Sequence, residues 1–196
     1  MWEEAQKALL KDKYIGPLIR KYGDCDIKPR RYDDYFQHLC GSIISQQLSG
    51  KAADVIFRRF KDAVGEIKPK NVLKIDDRVL RNCGLSWAKV GYIKDLALKS
   101  ESGELKTEKL GELSDVEVER ELMAVKGIGR WSAQMFLMFT LAGPDVFPSG
   151  DLGIKNGLKK LTGKKLGVEE MNEFADRWKP YRTIASWYIW RSLDNR

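Results

Sequence analysis

Apolar residues recur along almost the whole chain at the three- and four-residue spacing of helices that bury one face. One run occupies residues 36–44 and the next residues 52–60, and both predict helices that face a core. Further runs occupy residues 79–83, 87–96, 114–125, 131–141, 152–161, 168–177 and 181–193, after an amphipathic stretch at the N-terminus. No segment shows the convincing alternation of apolar and polar residues that is typical of a strand. The pattern predicts an all-α protein of about ten helices.

Local signals mark several of the predicted helix ends. Ser114 and Glu117 have the spacing of a capping box, in which each side chain bonds the backbone amide of the other residue. Ser49 is expected to cap a second helix. Gly143 and Pro144 end the helix before them, because proline lacks an amide donor and restricts the residue that precedes it.

Charge and composition narrow the classes of function. Lysine and arginine number 35 against 28 aspartate and glutamate in 196 residues, a net charge of +7. This balance favours an anionic partner, with nucleic acid first and an anionic membrane surface second. His38 is the only histidine, which excludes mechanisms that need two imidazoles, and we expect it to have a structural or surface role.

The cysteines and the N-terminus predict a soluble intracellular protein. Cys25, Cys40 and Cys83 have no CxxC spacing and are too few to hold an iron–sulfur cluster or a zinc knuckle. Such cysteine usage is typical of a reducing compartment. The N-terminus lacks the basic patch and apolar run of a signal peptide, and no window approaches the roughly 18 apolar residues of a membrane span.

The most informative stretch is LMAVKGIGRWSAQMFLMF, residues 122–139, which predicts a helix, a turn containing Gly127 and Gly129, and a second helix. Glycines let the backbone turn sharply and approach a ligand, and the first amides of the second helix point outward. Lys126 and Arg130 add full positive charges beside them. This geometry suits a phosphate, although a glycine-rich helix connection is also common as plain structure.

A Gly/Pro-rich loop, GPDVFPSGDLGIKNGLKKL at residues 143–161, ends in Asp151 directly before a predicted helix. Asp151 has the position of a helix cap. A capping carboxylate is also oriented, as a reaction that builds positive charge requires. The two interpretations are compatible.

Four motifs in order resemble the helix-hairpin-helix DNA glycosylases, and within them the AlkA-type 3-methyladenine DNA glycosylase II group. They are SIISQQLSGKAA at 42–53, GIGRWSA at 127–133, DVFPSGDLGIK at 145–155 and RWKPYRTIASWYIWR at 177–191. The resemblance implies two helical subdomains flanking a cleft, with the hairpin on one lip and the aspartate facing the cleft. We expect residues 32–141 to form one subdomain, and residues 1–31 with 142–196 the other.

The family resemblance implies excision of a damaged base flipped out of duplex DNA, with Asp151 as the catalytic carboxylate. Relatives that also cut the strand have a lysine two residues after the second hairpin glycine, where this chain has Trp131. We therefore expect a monofunctional enzyme. Hairpin residues 126–130 are the predicted phosphate contacts, namely Lys126, Gly127, Ile128, Gly129 and Arg130.

By motif position, Trp131, Met135 and Trp190 are the predicted walls of the base pocket. An alkylated purine is cationic, so electron-rich rings suit it. The family often has an aromatic residue at the position of Met135, so this methionine is a departure. The apolar residues around Trp190 also fit the buried face of a helix. Gln47, or its neighbour Leu48, resembles the side chain that fills the gap left by the flipped base, in a segment that otherwise reads as a helix end.

The expected partner is double-stranded DNA with damaged bases, bound by a monomer that is DNA-associated in a nucleoid or nucleus and not bound to membrane. We expect no iron–sulfur cluster and no required cofactor, with an alkali or alkaline-earth ion at the hairpin carbonyls as an unsurprising addition. Alternatives are a glycosylase for hypoxanthine, ethenoadenine or an oxidised base, and a non-catalytic DNA-binding module. Asp151 distinguishes an enzyme from a DNA-binding module, because a module that only binds DNA has no use for a carboxylate that repels phosphate.

Overall fold

The computed structural model describes residues 1–193 apart from the side chain of Tyr32. This part of the chain contains twelve α-helices and no strand, which confirms the all-α prediction. The helices are α1 Glu3–Leu9, α2 Ile15–Tyr22, α3 Tyr35–Ser45, α4 Gly50–Val64, α5 Pro69–Lys74, α6 Asp77–Asn82, α7 Trp87–Ser102, α8 Asp115–Met123, α9 Arg130–Phe136, α10 Leu152–Thr162, α11 Val168–Ala175 and α12 Arg182–Arg191. A π-helical segment, Leu137–Leu141, follows α9 directly.

Two of these helices were not predicted from the sequence. Helix α2 contains Gly16 and Pro17, but the proline lies in the first turn, where its missing amide is not needed. The carboxylate of Asp12 accepts the amides of Tyr14 and Ile15, each at 2.9 Å, and so supports the start of this helix. Helix α5 has six residues of which only Val72 is buried, so no apolar repeat marks it in the sequence.

One compact unit consists of Met1–Pro29 together with the chain from Leu137 onward. Helix α12 packs against α2 and α10 at its centre. Its buried Tyr188 donates a hydrogen bond to the carbonyl of Gly23 at 2.7 Å and accepts one from Gln6 Nε2 at 2.9 Å. The N-terminal segment is therefore tied to the last helix by buried polar contacts as well as by apolar packing.

The second compact unit is Arg30–Phe136. Helix α3 packs against α4 and α7, α5 packs against α7, and α8 packs against α9. The largest fully buried side chains in this unit are Phe60, Leu39, Ile43, Ile44, Leu80, Leu85, Ile93, Leu96 and Leu110. Residues 137–141, which the sequence analysis assigned to the hairpin-bearing subdomain, cluster with the first unit.

All three cysteines are buried free thiols. Burial raises the pKa of Cys40, and it raises the pKa of Cys25 to about 11, so both remain protonated at neutral pH. Within residues 1–193, no group of three or more His, Cys, Asp or Glu side chains could hold a metal ion. Over the same residues, no helix has the length and apolar character needed to cross a membrane.

Candidate active site

The hairpin turn joins α8 to α9 in the second unit. Helix α8 begins with the predicted capping box, in which Ser114 and Glu117 each accept the other residue's backbone amide. In the turn, the buried Ile128 donates its amide to the carbonyl of Val125 at 3.1 Å. Its apolar side chain anchors the turn to the core, and the exposed residues on either side face solvent.

The two hairpin glycines have different roles. Gly127 has a φ of +80°, in the left-handed region, and a Cβ there would lie 2.1 Å from Cδ2 of Tyr92. At Gly129 a Cβ would meet no atom within 4 Å. The fold therefore requires glycine at position 127, whereas at 129 only a ligand could require it.

A carboxylate that the sequence analysis missed, Asp95 on α7, holds the hairpin. Asp95 Oδ2 accepts the backbone amide of Lys126 at 2.9 Å, and Oδ1 lies 3.7 Å from the Lys126 ammonium. The Arg130 side chain forms an ion pair through Nε with Glu119 Oε2 at 3.2 Å. The two basic side chains are 76% and 72% exposed, so these pairs are worth only about 0–1 kcal/mol each and a phosphate can displace them.

The amides of Lys126 and Ile128 are bonded within the protein, which leaves only some amides of the turn open to a ligand. Among the residues that the structure describes, the amides of Gly127 and Gly129 have no hydrogen-bond partner. They flank the anchored Ile128, whose own amide is already used. Of the five predicted phosphate contacts, the two glycines therefore offer amides, whereas Lys126 and Arg130 offer charged side chains.

The plug loop, residues 46–49, connects α3 to α4, and Ser49 caps α4 as predicted by accepting the amide of Ala52. Gln47 has a φ of +58°, a left-handed conformation that costs a residue other than glycine on the order of 1–3 kcal/mol. Both Gln47 and Leu48 are exposed. The predicted intercalating side chains are therefore on the surface, in a backbone conformation that the surrounding contacts must maintain.

In the first unit, Asp151 is the N-cap of α10. Its Oδ1 accepts the amide of Ile154 at 2.9 Å and the indole N–H of Trp190 at 2.8 Å. A Cβ at Gly153 would lie 2.8 Å from Trp190 and 2.9 Å from Asp151 Oδ1, so only glycine leaves room for this contact. The orientation of the Asp151 carboxylate is therefore fixed by a backbone amide of α10 and by an indole N–H of α12.

Trp190 also packs against an aromatic ring that the sequence analysis missed. Phe139, in the π-helical segment, lies 5.8 Å from the Trp190 ring with an angle of 33° between the planes. Its side chain is 38% exposed. The signal was available, because Phe139 continues the four-residue series of Trp131 and Met135 along the chain.

Trp131 and Met135 lie on one face of α9 in the second unit, one helical turn apart. Trp131 is 46% exposed, an unusual position for a large aromatic side chain, and Met135 is half-buried. Trp190 and Asp151 belong to the first unit. The pocket that combines these residues stays a prediction.

A family model described as HhH-GPD superfamily base excision DNA repair protein matches residues 40–180. The chain belongs to this superfamily. The family assignment from the four sequence motifs is thereby confirmed. The matched range contains the plug loop, the hairpin and Asp151, whereas Trp190 lies beyond its end.

Several proteins similar to this HhH-GPD protein are named as 3-methyladenine DNA glycosylases or glycosidases. DNA-3-methyladenine glycosylase 1 of Schizosaccharomyces pombe is 36% identical over 166 residues, 80% of this chain and 72% of the relative. The structure of S. pombe 3-methyladenine DNA glycosylase in complex with abasic DNA has a TM-score of 0.85 and 32% identity, covering 96% of both chains. A DNA-3-methyladenine glycosidase from Bacillus halodurans has a TM-score of 0.86 and 34% identity, covering 98% of this chain and 90% of its own.

Proposed function

We propose that this HhH-GPD protein excises alkylated purines of the 3-methyladenine type from duplex DNA by hydrolysing the N-glycosidic bond. The observation that carries the proposal is the carboxylate of Asp151, which is oriented by the Ile154 amide and the Trp190 indole. The similar proteins named as 3-methyladenine glycosylases support the same substrate class. A module that only binds DNA gains nothing from a carboxylate built in this way.

Breaking the N-glycosidic bond leaves positive charge on the deoxyribose, and a fixed carboxylate beside it stabilises the transition state. Asp151 supplies that charge and orients the attacking water. The alkylated purine is a good leaving group because it is already cationic, so its recognition depends on ring stacking and cation–π attraction. Trp131 of the second unit and the packed rings of Phe139 and Trp190 of the first unit are the proposed aromatic walls, and Met135 lies one helical turn from Trp131 on α9.

The hairpin grips the DNA backbone through the open amides of Gly127 and Gly129 and the charges of Lys126 and Arg130. Gln47 or Leu48 fills the gap left by the flipped base, which offsets part of the unstacking cost of a few kcal/mol. Water is the nucleophile, so the proposed reaction has no step for a cofactor. The protein acts as a DNA-associated monomer.

The function is tested with duplexes that each carry one 3-methyladenine, 7-methylguanine, ethenoadenine, hypoxanthine or 8-oxoguanine. Each duplex is incubated with the purified protein, and the released base is measured by chromatography. We expect release of 3-methyladenine and a smaller release of 7-methylguanine. Release of 8-oxoguanine alone would move the substrate class to oxidised bases. If all five duplexes bind and none loses its base, the protein is a DNA-binding module.

Borohydride trapping is expected to give no covalent protein–DNA adduct. A lyase forms a Schiff base between a lysine amine and the sugar, and borohydride reduces it to a stable bond. At the corresponding position this chain has Trp131, whose indole cannot form one. Gel electrophoresis after reaction with an alkylated duplex measures the outcome, and a strong shifted band would mean that another lysine reaches the sugar.

Replacing Trp190 with phenylalanine is expected to lower the excision rate about 10–100-fold. The substitution removes a hydrogen bond to a carboxylate, worth about 1.5–3 kcal/mol, while it keeps a ring against Phe139. Single-turnover release of 3-methyladenine measures the loss. The matched control is Trp187→Phe on the same helix, whose ring packs against Tyr188 and Arg191. Equal rates for both variants would show that the indole N–H does not orient Asp151.

A further inference from the structure

Lys89 on α7 binds the C-terminal end of α3. Its ammonium donates to the carbonyl of Ile44 at 2.8 Å and to the carbonyl of Gln46 at 2.7 Å. Ile44 lies in the last turn of α3 and Gln46 is its C-cap, so no further helical amide follows to bond these carbonyls. The lysine charge also complements the negative end of the helix dipole. Burial lowers the pKa of Lys89, in keeping with an ammonium drawn out of water to reach them.

Gln46 connects the same point to the hairpin. Its Nε2 donates to the carbonyl of Gly127 at 2.8 Å and lies 3.4 Å from Oγ of Ser132 at the start of α9. Gly127 is the left-handed glycine of the turn. The backbone of Gln46 is thus held by Lys89 and its side chain is held by the hairpin, with Gln47 as the next residue.

We propose that Lys89 and Gln46 are positioning residues that set the plug loop in register with the hairpin, so that strand binding and base-gap filling occur as one step. The proposal rests on the function proposed above. Gln47 takes a left-handed conformation that it would leave without support. The backbone carbonyl and the side-chain amide of Gln46 are both fixed. The exposed side chains of Gln47 and Leu48 therefore form a wedge before DNA binds. Preorganisation of this kind favours the flipped state within the bound complex, whereas the affinity for DNA depends mainly on phosphate contacts.

The test uses the full-length protein and a duplex with 2-aminopurine beside a tetrahydrofuran abasic analogue, in which no bond is cleaved. Fluorescence of 2-aminopurine rises when its stacking is broken, so it reports wedge insertion directly. We expect Lys89→Met to bind this duplex with nearly unchanged affinity but to lose more than half of the fluorescence rise. With an alkylated duplex, we expect its kcat to fall about tenfold while KM changes little. Lys89→Arg restores both readouts, because a guanidinium donates to the same two carbonyls.

The matched control is Lys94→Met. Lys94 lies on the same helix and donates to the carbonyls of Leu73 and Ile75 at the end of α5, at 3.2 and 2.5 Å. Lys94 has the same capping chemistry as Lys89, but the helix that it caps, α5, does not lead into the plug loop. We expect this variant to lose a similar amount of thermal stability and to keep the wild-type fluorescence rise and kcat.

Gln46→Met removes the link to the hairpin and leaves Lys89 intact, so it serves if the Lys89→Met protein does not fold. It is expected to show the same loss of fluorescence. A full fluorescence rise in Gln46→Met, or equal effects of Lys89→Met and Lys94→Met, would overturn the proposal, as would a wild-type protein that gives no rise. A wild-type protein that unstacks the duplex but releases no base refutes the proposed function only, since the unstacking comparison is made without excision.

Discussion

Replacing Asp151 with asparagine is expected to lower the excision rate by about 10²–10³-fold, the loss typical when one preorganised electrostatic group is removed. The substitution takes away one negative charge and changes little else. An amide oxygen at the same place can still accept the Ile154 amide and the Trp190 indole, and asparagine caps helices as well as aspartate does. The variant therefore isolates the effect of charge beside the reacting sugar.

Three measurements on this variant separate chemistry from folding. Single-turnover release of 3-methyladenine gives the rate, fluorescence anisotropy gives the affinity for duplex DNA, and thermal unfolding gives the stability. Asp76→Asn is the matched control, because Asp76 caps α6 by accepting the amide of Arg78 at 2.8 Å. It is expected to retain the wild-type excision rate. Retained excision in Asp151→Asn, at wild-type levels, would contradict the assignment of Asp151 as the catalytic carboxylate.

Replacing Gly127 with alanine is expected to destabilise the protein by roughly 2–6 kcal/mol and to abolish DNA binding with it. A left-handed φ costs a residue with a Cβ about 1–3 kcal/mol, and overpacking costs about as much again. The added atom would lie 2.1 Å from the Tyr92 ring, so the ring or the turn must move. Chemical denaturation measures the loss in free energy of unfolding, and anisotropy with an undamaged duplex measures binding.

Gly129→Ala is the matched control for the hairpin. A Cβ at this position meets no protein atom within 4 Å, so the stability of the wild type is expected to be retained. DNA affinity is expected to fall on all duplexes alike, because the turn contacts the strand backbone and not the bases. A destabilisation equal to that of Gly127→Ala, or a loss confined to one lesion, would refute this division of roles.

Features encoded within a few neighbouring residues were predictable from the sequence. The capping box of Ser114 and Glu117, the caps at Ser49 and Asp151, and the end of the helix before Pro144 depend on local backbone bonding alone. The same holds for the amphipathic faces that make this an all-α protein. The hairpin was recognised because its glycines have a fixed spacing between two apolar runs.

Contacts between distant segments could not be predicted in the same way. Asp95 holds an amide 31 residues away, and Trp190 donates to an aspartate 39 residues away. Nothing in the sequence around Lys89 distinguishes it from Lys94, or either of them from a solvated lysine. Each acquires a role only when packing brings the end of another helix to its side chain.

Helix α7 carries polar side chains that complete the backbone bonding of three other segments. Lys89 bonds the end of α3, Lys94 bonds the end of α5, and Asp95 bonds the hairpin amide. If α7 detached, each segment would lose these bonds and its polar groups would bond water instead. We expect local opening of this helix to remove the supporting bonds from all three segments together.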